Sequence, residues 1–191
     1  MPLTEEQIVR FSRQILLQQV GGVGQARLLA STLHVRSDGP AERTCAAYVA
    51  AGGGGVKAPP CTEGATVPGF LEDWASLTTQ PSGGEGAVTV LTSAPSVEGV
   101  PAATHTIVLG AQGGEAVIVF AARDGCPACV AEATGRLEAP PAWAGELQGA
   151  LAALVHQRFA LGLEAGAGVL RMRADGSIRR EALRACGACR S

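Results

Sequence analysis

Apolar residues recur every three to four positions near both ends of the chain, which is the pattern of helices with one buried face. The first stretch, residues 4–19, opens with a capping-box pair and is stopped by Gly21-Gly22. The second stretch, residues 142–162, is the most regular helical pattern in the chain. The first stripe consists of Ile8, Phe11 and Ile15, its capping pair is Thr4 with Gln7, and the second stretch carries Trp143, Leu147, Leu151, Leu154, Val155 and Phe159.

Shorter elements are predicted between these two helices. Residues 24–31 and 41–51 read as helices, and residues 70–77 as a helical turn. The Gly/Pro/Thr-rich stretch 52–69 and residues 78–86 predict loops. Strands are predicted at 33–35, 87–91, 106–109, 116–120, 169–173 and 178–183, with hairpin turns at 110–114 and at Asp175-Gly176. The mixture indicates an α/β protein.

Composition narrows the class of protein. At 191 residues the chain is expected to form one domain, and with 47% hydrophobic but only 4% aromatic residues its core must be built from Ala, Val and Leu. The net charge is −2 and basic residues are scattered, which argues against nucleic acid as the main partner. No long apolar run and no basic start followed by an apolar stretch are present, so we expect a cytoplasmic protein without a membrane span.

Two Cys-x-x-Cys units carry the clearest candidate chemistry. Cys126 with Cys129 and Cys186 with Cys189 can together supply four thiolates to one tetrahedral Zn²⁺. A reducing compartment favours metal ligation, although two local redox or disulfide pairs, or thiols without metal, are the alternative. A closed four-thiolate site leaves no open coordination position, so the zinc is expected to be structural.

No nucleophile or base stands out among the other candidates. Cys45 lies in an Ala-rich predicted helix and is expected in the core, whereas Cys61 lies in a loop without a histidine nearby to lower its pKa. The Gly52–Gly55 run is followed by no Lys-Ser/Thr, so it is not a P-loop. The three histidines, expected at strand ends or on helix surfaces, are His34, His105 and His156.

The beginning and the second half of the chain resemble the ThiF/MoeB/HesA family, the bacterial relatives of ubiquitin-activating enzymes. The resemblance covers residues 4–35 and 104–191. It is carried by Glu6–Leu17 with its Arg-Gln-Ile, by Gly24-Gln25, by Val108–Phe120, by Leu147-Gln148 and by the two cysteine pairs. It implies one reduced Rossmann-like α/β domain with a mixed sheet, flanking helices and a Cys₄ zinc site. Residues 4–35 would hold the N-terminal helices and first strand, 36–103 a degenerate nucleotide-site region, and 104–191 the sheet, long helix and zinc-binding part.

The middle of the chain departs from the family's nucleotide site. The family places Gly-x-Gly-x-x-Gly after its first strand, whereas Val35–Thr44 retains only Gly39, followed by Pro40, which has no amide hydrogen. The family's ribose-binding acid, Asn-x-x-Arg-Gln motif and nucleotide-site lysine have no counterpart, and Leu91–Pro95 lacks its magnesium aspartate. The crossover segment after Cys129 also lacks a cysteine nucleophile. We therefore expect no ATP or magnesium binding by the isolated chain.

Arg13 is the candidate for a retained activity. It lies off the apolar stripe and should point outward. The resemblance implies an arginine that reaches into the nucleotide site of a dimer partner, as an arginine finger does. The chain would then be a non-catalytic homo- or heterodimer subunit, paired with a ThiF/MoeB-like enzyme that adenylates a sulfur-carrier or ubiquitin-like protein. The alternatives are an ordinary solvated arginine, a carrier-protein adenylyltransferase with an atypical site, and a zinc-stabilised protein-binding module.

Overall fold

A mixed sheet organises the part of the chain that the computed structural model describes, residues 2–57, 86–94, 105–122 and 125–183. The strands are β1 (Thr32–Val35), β2 (Gly55–Lys57), β3 (Val88–Ser93), β4 (His105–Gln112), β5 (Glu115–Ala121), β6 (Ala167–Met172) and β7 (Ile178–Ala182). Within the described residues they form one seven-stranded sheet in the order β2-β1-β3-β4-β5-β6-β7. The β2-β1-β3-β4 pairs are parallel and the pairs from β4 to β7 are antiparallel, so the predicted mixed sheet is confirmed.

Helices cover the sheet and precede it. They are α1 (Glu5–Arg10), α2 (Ser12–Ile15), α3 (Gly21–Ala30), α4 (Pro40–Ala51), α5 (Pro127–Thr134) and α6 (Gly145–Leu161), with a 3₁₀ turn at Ala142–Ala144 before α6. No helix of the described ranges combines the length and apolarity needed to cross a bilayer.

The alternation of side chains along the strands builds two apolar clusters, one on each face of the sheet. On β4, Ile107 and Leu109 face the larger cluster, whereas Val108 between them belongs to the smaller one. The larger cluster includes residues of α4 and α6, and the smaller one has Leu137 and Ala133 packed into it. Both faces of the central strands are therefore buried, as a parallel-edged α/β sheet requires.

The predicted first helix is broken at Phe11. The capping box is confirmed, because the Gln7 amide donates to Thr4 Oγ1 at 3.2 Å and the Thr4 amide donates to Gln7 Oε1 at 3.0 Å. The helix then ends as Phe11 leaves helical geometry and buries its ring, while Ile8 stays 47% exposed. One continuous helix over residues 4–19 was therefore wrong, since Phe11 finds its partners in Gly53 and Leu29 rather than on a shared stripe.

Two predicted loops contain structure of their own. Gly55–Lys57, predicted as part of a loop, is strand β2 and pairs with β1. The segment after Cys126 forms helix α5, which the sequence pattern did not reveal because its apolar residues are few and small. The predicted helical turn at 70–77 lies outside the described residues.

Helix α6 buries its small residues and exposes its large ones. Trp143, just before the helix, and Leu147 and Leu154 within it are 47%, 40% and 51% exposed. The predicted core stripe is thus wrong for these three residues. The face that meets α4 instead carries Gly145 and Gly149, because the two helices approach too closely for longer side chains.

Candidate functional site

The crevice at the ends of β1 and β3 is the place where a sheet of this topology binds ligands. The chain passes from β1 through α4 to β2 on one side, while β3 lies on the other side of β1. The carboxyl ends of β1 and β3 therefore form a topological switch point, where α/β proteins open a crevice. Val35 ends β1, Ser93 ends β3, and residues 36–39 lead into the N-terminus of α4.

The carboxylate of Glu42 fills this crevice. Glu42 is the third residue of α4 and is 2% exposed. Its Oε1 accepts a hydrogen bond from Ser37 Oγ at 2.6 Å and another from Ser93 Oγ, while the Ser93 amide donates to Ser37 Oγ at 3.1 Å. The Cβ of any larger residue at Gly39 would lie 2.5 Å from Glu42 Oε2, so Gly39 leaves room for a carboxylate rather than for a ligand.

A second carboxylate lies beside the crevice. Asp38 pairs with Arg43, whose Nε approaches Asp38 Oδ1 to 2.7 Å, and this hydrogen bond holds the pKa of Asp38 below its usual value. Pro40, the first residue of α4, offers no amide hydrogen. The positive end of the α4 dipole thus faces the chain's own acidic groups, which disfavours an incoming phosphate.

Arg13 lies away from this crevice. It is exposed on the short helix α2, beside a shallow cavity lined by Phe11, Gln14 and Ala51. Ala51 ends α4, whereas Glu42 lies near its start. At about 1.5 Å per residue the two ends of this helix are roughly 14 Å apart. The arginine is therefore presented to solvent rather than to its own chain's crevice.

Half of the predicted zinc ligands lie within the described residues. Cys126 is the N-cap of α5 and Cys129, three positions on, is buried within it, and the two thiols are not joined in a disulfide. Thiols at a helix N-terminus are readily deprotonated, and paired thiolates are zinc's preferred donors. Cys186 and Cys189 lie outside the described residues, and within those residues no group of three metal-ligating side chains occurs.

The remaining thiols offer no nucleophile within the described residues. Cys45 is fully buried in the larger cluster, as predicted. Burial, with a smaller contribution from Glu42, raises the pKa of this thiol well above its usual value, so it stays protonated. Cys61 lies outside the described residues.

The histidines differ from the surface positions expected for them. His34 is half-buried on β1, where burial and the charge of Lys57 lower its pKa. His105 stacks on Phe159 with ring centroids 4.4 Å apart. His156 is fully buried, and desolvation lowers its pKa to about 4. All three are explained by packing.

Ser37, Glu42 and Ser93 are site residues that sequence reasoning missed. A glutamate in the first turn of a helix usually reads as an exposed partner of the dipole. Ser93 is 51 positions from Glu42, so only the pairing of β1 with β3 brings them together.

Comparison with known proteins places the fold. A crystal structure of PaaA matches with a TM-score of 0.65 at 15% identity, over 95% of this chain and 84% of PaaA. E. coli MccB with ATP matches at 0.65 and 14% identity, over 94% of this chain and 73% of MccB. E. coli MccB with AMPCPP and MccA matches at 0.66 and 13% identity, over 98% and 74%. Both are ThiF/MoeB-family adenylyltransferases.

This chain has the ThiF/MoeB-type fold. The resemblance drawn from the Arg-Gln-Ile helix and the second half of the chain is confirmed at the level of architecture. No protein-family model matches the sequence, and no curated protein sequence matches it.

Proposed function

We propose that this chain is a ThiF/MoeB-type subunit that has lost nucleotide binding and supports adenylation by a complete partner enzyme. The substrate of that enzyme would be a sulfur-carrier or ubiquitin-like protein. The observation that carries the proposal is the Glu42 carboxylate, buried in the crevice where the fold would admit phosphate.

Electrostatics support the loss of nucleotide binding. A triphosphate brought to the α4 N-terminus would meet the carboxylates of Glu42 and Asp38 instead of a glycine-rich amide cradle. Displacing Glu42 would also break its hydrogen bonds to Ser37 and Ser93. Each charge-assisted hydrogen bond of this kind contributes about 1.5–3 kcal/mol.

The comparisons support a protein or peptide partner. Solved structures of E. coli MccB contain ATP in one case and MccA in others. Those ligands belong to MccB, and for this chain they indicate only that the shared fold suits the activation of a polypeptide. The exposed position of Arg13, remote from its own crevice, fits a residue offered to a partner.

Calorimetry with ATP and magnesium tests the loss of nucleotide binding. We expect no measurable heat of binding for the isolated chain, because the crevice is filled and acidic. An intact ThiF/MoeB-type enzyme titrated in parallel is the positive control. Tight, magnesium-dependent binding by the isolated chain would overturn the proposal in favour of an adenylyltransferase with an atypical site.

The role of Arg13 is tested by ATP–pyrophosphate exchange in a mixture with an intact partner enzyme. We expect this chain to stimulate the exchange and Arg13→Ala to remove most of that stimulation, in the range of 10³–10⁵-fold known for arginine fingers at the upper end. Arg10→Ala, on the same helical segment, is the matched control. Equal stimulation by wild type and Arg13→Ala would show that Arg13 is an ordinary solvated residue.

A further inference from the structure

We propose, building on the proposed loss of nucleotide binding, that Glu42 is an autoinhibitory internal anion whose removal opens the crevice to phosphate-class anions. The carboxylate is the occupant of the crevice, and the groups that hold it are suited to an external oxyanion. The chain therefore retains a latent anion site that it closes with its own side chain.

The partners of Glu42 are hydrogen-bond donors from two separate parts of the crevice. Ser37 follows β1 and Ser93 ends β3, and the hydroxyls of both donate to the same carboxylate oxygen. Hydroxyls in this arrangement bind phosphate oxygens as well as carboxylates. A ligand oxyanion held there would make the contacts that Glu42 now makes.

Burial distinguishes Glu42 from an ordinary acidic residue in a first helical turn. Glu146 occupies the second position of α6, which lies beside α4, and it is exposed to solvent. The helix dipole alone therefore does not draw a carboxylate out of water in this protein. Glu42 is buried because Ser37, Ser93 and the bare Cα of Gly39 surround it.

Truncation of Glu42 would free these donors. In Glu42→Ala the hydroxyls of Ser37 and Ser93 lose their acceptor, and the α4 N-terminus loses the negative charge that compensates its dipole. Buried donors without acceptors are costly, so an anion that enters the space regains free energy that the wild type does not offer.

The test is calorimetry with inorganic pyrophosphate, without metal, on wild type, Glu42→Ala and the control Glu146→Ala. We expect Glu42→Ala to bind pyrophosphate about tenfold or more tightly than wild type, and Glu146→Ala to behave as wild type. Adding Ser37→Ala and Ser93→Ala to Glu42→Ala should abolish the gain. A gain that survives loss of both serines would place the anion elsewhere and overturn the proposal.

Two further outcomes decide the matter. Folded Glu42→Ala that binds pyrophosphate no better than wild type, or wild type that already binds it tightly, contradicts the internal anion. If Glu42→Ala does not fold, the isosteric Glu42→Gln takes its place, and pyrophosphate should raise its Tm but not that of wild type; no rise contradicts the proposal. The ATP titration of the wild type is separate, so a latent site can fail while the proposed loss of nucleotide binding stands.

Discussion

His156 shows how a single buried polar residue makes this fold sensitive to pH. Ser31 Oγ donates to the Leu28 carbonyl at 2.7 Å, so it accepts from His156 Nε2 at 3.2 Å. His156 Nδ1 then accepts from Thr89 Oγ1 at 2.9 Å. These contacts satisfy both nitrogens of a neutral ring, and a proton added to Nδ1 would remove the acceptor that Thr89 uses.

We expect acid to destabilise the protein through His156 above the range in which carboxylates titrate. Its pKa falls from 6.5 to about 4 in the folded state, so below pH 6.5 the unfolded chain binds a proton that the native state refuses. Between pH 6.5 and 5 the free energy of unfolding should drop by about 2 kcal/mol through this group. Urea unfolding at several pH values measures the slope.

His156→Gln is the control for this prediction, because it keeps a buried polar side chain and removes the titration. Its slope of stability against pH should be shallower over the same interval, although His34, whose pKa is also lowered, still contributes in both proteins. Identical slopes for variant and wild type would assign the pH dependence to other groups.

The contact between α4 and α6 is the element-scale counterpart, because it depends on absent side chains. A Cβ at Gly149 would lie 2.2 Å from the Ala41 carbonyl oxygen and 2.8 Å from Thr44 Cβ. A Cβ at Gly145 would lie 3.1 Å from Pro40 Cβ. The backbones of the two helices therefore touch, and this contact places the N-terminus of α4, with Glu42, at the crevice.

We expect Gly149→Ala to lower the free energy of unfolding by about 2 kcal/mol or more. Alanine's helix propensity would favour the substitution by about 1 kcal/mol, but the clash is with backbone atoms that cannot move aside cheaply. Gly22→Ala in α3 is the matched control, since its Cβ would meet nothing within 4 Å. Chemical denaturation that finds both variants equally stable would disprove the close helix contact.

Periodicity predicted the elements of this fold better than their faces. The strands of the second half appear within a few residues of their predicted positions, because alternating apolar runs determine both type and extent. The α6 pattern predicted a helix correctly, but Leu147 and Leu154 point outward. Which side of an all-apolar helix is buried depends on the shape of its neighbour, and that shape is set here by glycines.

The candidate site could be predicted by what it lacks but not by what fills it. The loss of the glycine-rich turn after β1 is visible in residues 35–44 as a local feature of the sequence. The burial of Glu42 depends on Ser93, which belongs to a strand far along the chain and becomes a neighbour only when the sheet forms. Non-local contacts of this kind leave no local sequence pattern.

At the scale of the whole molecule, the cysteine pairs are the proposed link between the second half of the sheet and the chain's last residues. Cys126 and Cys129 follow β5 directly, at the start of α5. Cys186 and Cys189 follow β7, the edge strand of the described sheet. A zinc ion shared by all four thiolates would tie the region after β7 to the region after β5, two strands away.

We expect protein purified without added zinc to contain about one zinc per chain, as a closed four-thiolate site predicts. Cys126→Ser should lose most of this metal and melt roughly 10 °C lower, because metal binding and folding are coupled and a few kcal/mol shifts the Tm of a chain this size by that amount. Elemental analysis and thermal unfolding measure both quantities. Cys45→Ala is the control: its thiol is buried in the apolar core, so the variant should keep its zinc even where the lost packing lowers its Tm. Zinc-free wild type, or full zinc content in Cys126→Ser, would leave the thiols as redox or disulfide pairs instead.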